Sequence, residues 1–185
     1  VFLFLAHSFT FDIQTHLSMI ELNFPIIALS AIVPLLLGFI WYHPKVFGNA
    51  WMSLAGLTEE SIKGTNMGKV FLVTYLLSIM MALALLPMVI HQYGIYSILA
   101  DEPGINDPES ETGKYLSDFL ARYGSNFRTF KHGVFHGVLA GLFLAMPIMA
   151  INALFERKKF KYTLINSGYW MLCLGIMGGI LCAFG

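Results

Sequence analysis

The stretch GVFHGVLAGLFLAMPIMAINALFERKKFKYTLINSGYWMLCLGIMGGILCAFG, Gly133 to Gly185, sets two apolar runs on either side of a short cationic break. The runs, Gly133 to Phe155 and Tyr162 to Gly185, are each longer than the roughly 20 apolar residues a helix needs to cross bilayer hydrocarbon. The break, ERKKFK, carries Arg157, Lys158, Lys159 and Lys161. A break this short predicts an antiparallel helical hairpin with its turn in water. Strands are not expected, because the apolar runs are continuous and no alternation repeats.

Working outward, two further runs qualify, Phe24 to Tyr42 and Val70 to Ile90. None of the four has Asp, Glu, Lys or Arg in its interior. The polar exceptions are mild: Ser30, Thr74, Ser78, His136, Asn152, Asn166 and Ser167. The whole chain follows suit. Apolar residues make up 57% and charged residues 12% of its 185 residues, and its mean hydropathy is +0.69. A soluble domain carries about 25% charged residues, so lipid is the natural solvent for this surface. The expected fold is all-α, a polytopic four-transmembrane-helix bundle with spans at about 24–42, 70–90, 133–155 and 162–185. Formal net charge is zero, so no basic field invites nucleic acid. Cys173 and Cys182 lie roughly 13 Å apart along one helix, too far to bridge within it, and read as buried thiols.

The cationic turn sets the orientation. By the positive-inside rule it is cytoplasmic, as is the loop 51–69 with Lys63 and Lys69, and both termini come out external. The long segment from His91 to Lys131 then lies outside and holds Asp101, Glu102, Asp107, Glu109, Glu111 and Asp118. Its second half, YLSDFLARYGSNF, places Tyr115, Phe119 and Tyr123 at four-residue spacing beside Leu116 and Leu120, the pattern of a short external amphipathic helix. The opening VFLFLAHSFTF is too short to span and has no cationic leader. Met19 opens MIELNFPIIAL, so residues 1–18 read as an N-terminal extension and 19–185 as one membrane domain. Pro34, Pro87 and Pro147 predict bends within spans one, two and three.

Five pieces occur in order: GFIWYHPKVFGNAWM (Gly38–Met52), GLTEE (Gly56–Glu60), HGVLAG (His136–Gly141), NALFERK (Asn152–Lys158) and INSGYW (Ile165–Trp170). Together they resemble the bacterial integral-membrane family known only as domain of unknown function 1761, over roughly Leu22 to Cys182. The resemblance implies a four-span protein of the bacterial cytoplasmic membrane. It brings no reaction, ligand or catalytic residue to these positions. The family pattern often has Ser where His43 stands, which argues against a chemical role for His43. The long acidic outer segment is a subgroup feature.

Three groups of residues are candidate sites. His91 ends span two, and His132 and His136 open span three, so all three imidazoles are expected at one membrane face. An i, i+4 pair can chelate one ion, and three histidines with an open position suit Zn²⁺. A metal ion or haem is the cofactor class this would imply. The plainer reading is imidazoles at helix ends in water, and no cofactor is assigned. Beside them Gly133, Gly137, Gly141 and Ala145 form a small-residue row, with Gly168, Gly175, Gly179 and Ala183 on span four. Lipid gives no hydrophobic force between helices, so such rows drive association by close backbone contact. The partner could lie in this chain or in another. The cytoplasmic end gathers Trp41, Tyr42, Trp51, Asn152, Glu156, Asn166 and Tyr169, an interfacial pocket for a headgroup or small molecule in the functional reading. The plain alternative is an aromatic belt, with Glu156 paired to Lys45 or an arginine.

Phosphate-loop, serine-hydrolase and C-x-x-C motifs are absent from the sequence. These observations favour a non-enzymatic packing or assembly component that sits among membrane lipids with copies of itself or a larger membrane complex. A carrier or pore for a small, weakly charged solute is one alternative, motivated by the prolines and the uncharged spans. A His-dependent metal- or haem-binding protein is the other.

Overall fold

The computed structural model describes residues 22–185, and the expected extension over residues 1–18 lies outside the described residues. The described chain forms two compact units. A membrane unit holds residues 24–89 and 128–185, and a smaller unit includes residues 90–127. Among the described residues there is no strand. The membrane unit contains four helices long and apolar enough to cross a bilayer, Phe24–Trp41, Met67–Val89, Phe130–Phe155 and Phe160–Phe184, here spans one to four. Their bounds fall within three residues of those expected. The architecture is that of a multi-pass helical membrane bundle.

Each proline acts differently. Span one is two helices, Phe24–Ser30 and Val33–Trp41, broken by a turn. Pro34 lacks the N–H that a continuous helix would direct at the Ser30 carbonyl. Neighbours occupy nearby carbonyls instead. The Tyr75 hydroxyl of span two donates to the Ala28 oxygen at 3.2 Å, and the Ser30 hydroxyl donates to the Ile27 oxygen at 2.8 Å. Span two is one continuous helix whose Pro87 falls within its last turn, where the missing N–H interrupts the least of the helix. Span three runs α-helical over Phe130–Ala140, widens into a π-helical turn over Gly141–Ala145, and resumes over Met146–Phe155. In the wide turn the Met146 N–H reaches back five residues to the Gly141 oxygen. One extra residue is thereby absorbed just before Pro147.

Span four is the centre of the unit. In its most apolar stretch 56% of residues are buried, against 28%, 22% and 17% in spans one, two and three. Cys173, Met177, Leu181 and Cys182 have no exposed surface, and the Cys182 thiol donates to the Val89 oxygen of span two at 3.1 Å. The other three spans turn large apolar side chains outward, among them Leu36, Leu76 and Phe143. In water such a surface would aggregate, and in lipid it is in its own solvent.

The smaller unit contains the short helix Gln92–Ile98 and the amphipathic helix Glu111–Tyr123. Ser110 caps the latter by accepting the Gly113 N–H at 2.9 Å. Leu116 is buried and Phe119 and Leu120 are half-buried while Ser117 and Asp118 are exposed, so the helix is two-faced, but Tyr115 and Tyr123, expected on the apolar row, are exposed. The Gln92 amide ties the ends of this unit together, donating to the Gly124 and Asn126 oxygens at 2.9 Å each.

Candidate functional site

The first site is built on the first turns of span three. Thr129 caps the helix, its hydroxyl accepting the His132 N–H at 3.2 Å. From that start the sequence lays down two adjacent rows at four-residue spacing, one glycine and one histidine. The glycine row meets span four of the same chain. A Cβ on Gly133 would strike the Gly178 carbonyl and lie 2.6 Å from Cys182 Cβ. On Gly137 it would lie 2.6 Å from the Leu174 carbonyl carbon, and on Gly141 2.7 Å from Met171 Cα. These are backbone-to-backbone contacts that any larger residue would push apart. Across the seam Gly175 faces Val138, and Gly179 receives the Phe130 ring. Gly178, the residue opposite Gly133, is absent from the span-four row Gly168, Gly175, Gly179 and Ala183 read from the sequence. Its neighbour Gly179 was the available signal, since two successive glycines widen any small-residue face.

The histidine row lies beside this seam. His132 and His136 are half-buried, and their ring centres are 4.5 Å apart. A ring nitrogen of one lies within 4.8 Å of a ring nitrogen of the other. Phe135 meets His136 edge-on at 5.4 Å. His91 belongs to the smaller unit, where it precedes the helix Gln92–Ile98 and meets the Phe127 ring edge-on at 6.4 Å. Phe127 has φ 61, a left-handed backbone uncommon for a bulky residue. It borders a groove of about 490 Å³ together with Gln92, Ile95, Phe119, Tyr123 and Asn126.

The second cluster lies at the lysine-rich end. Asn166, buried on span four, is its hub. Its side-chain oxygen accepts from the Tyr42 hydroxyl at 2.9 Å and from the Trp51 indole at 3.1 Å. Its amide nitrogen donates to the Tyr162 oxygen at 2.8 Å. The Trp41 indole donates to the Ile165 oxygen at 3.1 Å, and the Tyr169 hydroxyl to the Pro34 oxygen at 2.6 Å. Tyr42 touches the rings of both Trp51 and Tyr169, each at 5.1 Å.

The chain reaches this arrangement by a reversal after span one. His43 caps a π-helical turn, Pro44–Gly48, by accepting the Lys45 N–H on Nδ1 at 3.2 Å. Gly48 is required there, since a Cβ would run into the Tyr42 and His43 carbonyl groups. The helix Asn49–Ala55 then carries Trp51 back towards span four. Lys158 closes the end by donating to the Ala55 oxygen at 2.6 Å.

Five of the seven residues expected here, Trp41, Tyr42, Trp51, Asn166 and Tyr169, therefore come together. Asn152 and Glu156 do not. Asn152 is exposed on span three and Glu156 is exposed just after it, and among the described residues Glu156 forms no ion pair with Lys45 or an arginine. Chemically the cluster is a set of donors already committed to carbonyl and amide oxygens. It fixes the end of the bundle.

The family described as "protein of unknown function (DUF1761)" matches residues 26–182, and the chain belongs to it. No curated protein and no solved structure matches the chain.

Proposed function

We propose that this member of the DUF1761 family is a non-enzymatic assembly component of the bacterial cytoplasmic membrane. In this reading its lysine-rich turn faces the cell interior, and it packs beside copies of itself or other membrane proteins through the outer faces of spans one to three. The small-residue row of span three is used against span four of its own chain, so the contact surface must lie elsewhere.

The observation that carries the reading is Asn152. This amide is exposed on span three, about one turn from its end, and no hydrogen bond to its side chain exists among the described residues. Lipid tails cannot satisfy an amide, and such groups in spans bond across helices. Exposed Ile148 and Ile151 flank it and would bury against the same partner, while membrane lipids cover the remainder.

The test is site-specific photocross-linking in native membranes from position 152, with position 177 as the buried control. Adducts to a protein chain at 152 and none at 177 are expected. Lipid adducts alone at 152, with a strictly monomeric protein in native nanodiscs, would overturn the proposal.

A further inference from the structure

The geometry points to a divalent-metal site on the imidazole pair His132–His136, of the class that takes borderline ions such as Zn²⁺. This goes beyond the assembly role and does not depend on it. The argument begins with spacing. Residues four apart on a helix stand one above the other, and here both are histidines. One nitrogen from each lies within 4.8 Å of the other. Two nitrogens bound to one tetrahedral Zn²⁺ at about 2.0–2.1 Å sit roughly 3.4 Å apart. Each therefore has to move by less than about 1 Å, which side-chain torsions supply without any shift of the helix.

The backbone beneath the pair is held firmly. Gly133 and Gly137, each one residue beyond a histidine, are pressed onto span four at Gly178 and Leu174. Thr129 pins the first turn through the His132 N–H. The glycine row thus preorganises the histidine row, and a preorganised pair loses less freedom on binding.

The chemistry selects the ion. Neutral imidazole suits Zn²⁺, Cu²⁺ and Ni²⁺, whereas Mg²⁺ and Ca²⁺ demand oxygen ligands. The geometry also selects against a haem ligated by both imidazoles. A macrocycle held by both imidazoles would have to sit between the rings, and 4.5 Å between ring centres leaves no room for it. The remaining coordination positions belong to water or to a third protein ligand. The site proposed rests on the pair alone.

The test uses the full chain in nanodiscs, with His7, His16 and His43 replaced by Gln so that they do not compete. One equivalent of Zn²⁺ is expected to bind by calorimetry. His132→Gln and His136→Gln are each expected to weaken it by roughly tenfold or more. Should either variant fail to give folded protein, the parent loaded with one equivalent of Cu²⁺ decides by electron paramagnetic resonance. Hyperfine coupling to two imidazole nitrogens supports the site, and an all-oxygen spectrum overturns it. Zn²⁺ binding that is unchanged in both variants, or absent from the parent, overturns it as well.

Discussion

The hairpin of spans three and four has two unlike ends. At the lysine-rich end, tyrosine hydroxyls and tryptophan indoles are tied to Asn166, to Ile165 and to Pro34. At the other end, two imidazoles stand together above a seam of glycines. The first end consumes its polar atoms in holding the bundle. The second holds the bundle chiefly by close backbone approach, supplemented by the Cys182 thiol donating to the Val89 oxygen. A membrane protein can thus secure a helix pair by side-chain hydrogen bonds or by close approach of backbones.

This contrast can be broken or sharpened in five ways, taken from the largest expected effect. Gly137→Val drives a branched side chain into the Leu174 backbone and should cost about 3 kcal/mol. Thermal unfolding in detergent, followed by circular dichroism, measures it. A midpoint equal to that of the parent would mean that the seam is looser than described. Next, Zn²⁺ at about a hundredfold over its dissociation constant should stabilise the parent by roughly 2.7 kcal/mol and leave the His132→Gln, His136→Gln double variant unmoved.

At the lysine-rich end, Asn166→Leu strands the Tyr42 hydroxyl and the Trp51 indole, at about 1–3 kcal/mol. Tryptophan emission should shift red as the cluster loosens. Tyr169→Phe gives up one bond to Pro34, about 0.6 kcal/mol on the scale of bonds between spans, and a double-mutant cycle with Asn166→Leu should show whether that bond is coupled to the hub. Smallest and of opposite sign is Ser167→Ala. The Ser167 hydroxyl is buried without a hydrogen-bond partner, so its removal should leave stability level or slightly raised. A clear loss of stability would reveal a partner for it.

The four spans and the amphipathic helix were legible because lipid demands long uninterrupted apolar runs, and a run's length does not depend on its neighbours. Facing within a run is harder, and span three shows why. Gly133, Gly137 and Gly141 were placed on one face and are buried together. Carried on at helical spacing, that face returns after three turns, or about 11 residues, at Asn152. The π-helical turn over Gly141–Ala145 inserts one residue and moves the buried position to Ala153, which is 3% exposed, so that Asn152 looks outward. Asn152 and Asn166 have the same chemistry, and each lies within two turns of the lysine-rich loop. A wide turn that no residue pattern announced separates their fates. The aromatic cluster was legible as a set of residue types meeting at one end. Its partners were not, because most are backbone oxygens, which every residue carries and no sequence distinguishes.

That span four forms the core, and also follows the other three in chain order, shapes how the protein must be born. Spans one to three emerge from the ribosome before the helix they will pack around exists. Spans one and two have contacts such as Tyr75 to Ala28 with which to wait, but span three has its glycine seam bare in lipid until its partner is translated. The packing of span three therefore waits on the insertion of span four. While the 25-residue helix Phe160–Phe184 is being made, the nascent chain exposes its glycine seam to quality-control proteases, and an insertase that keeps span three close at hand would shorten that exposure.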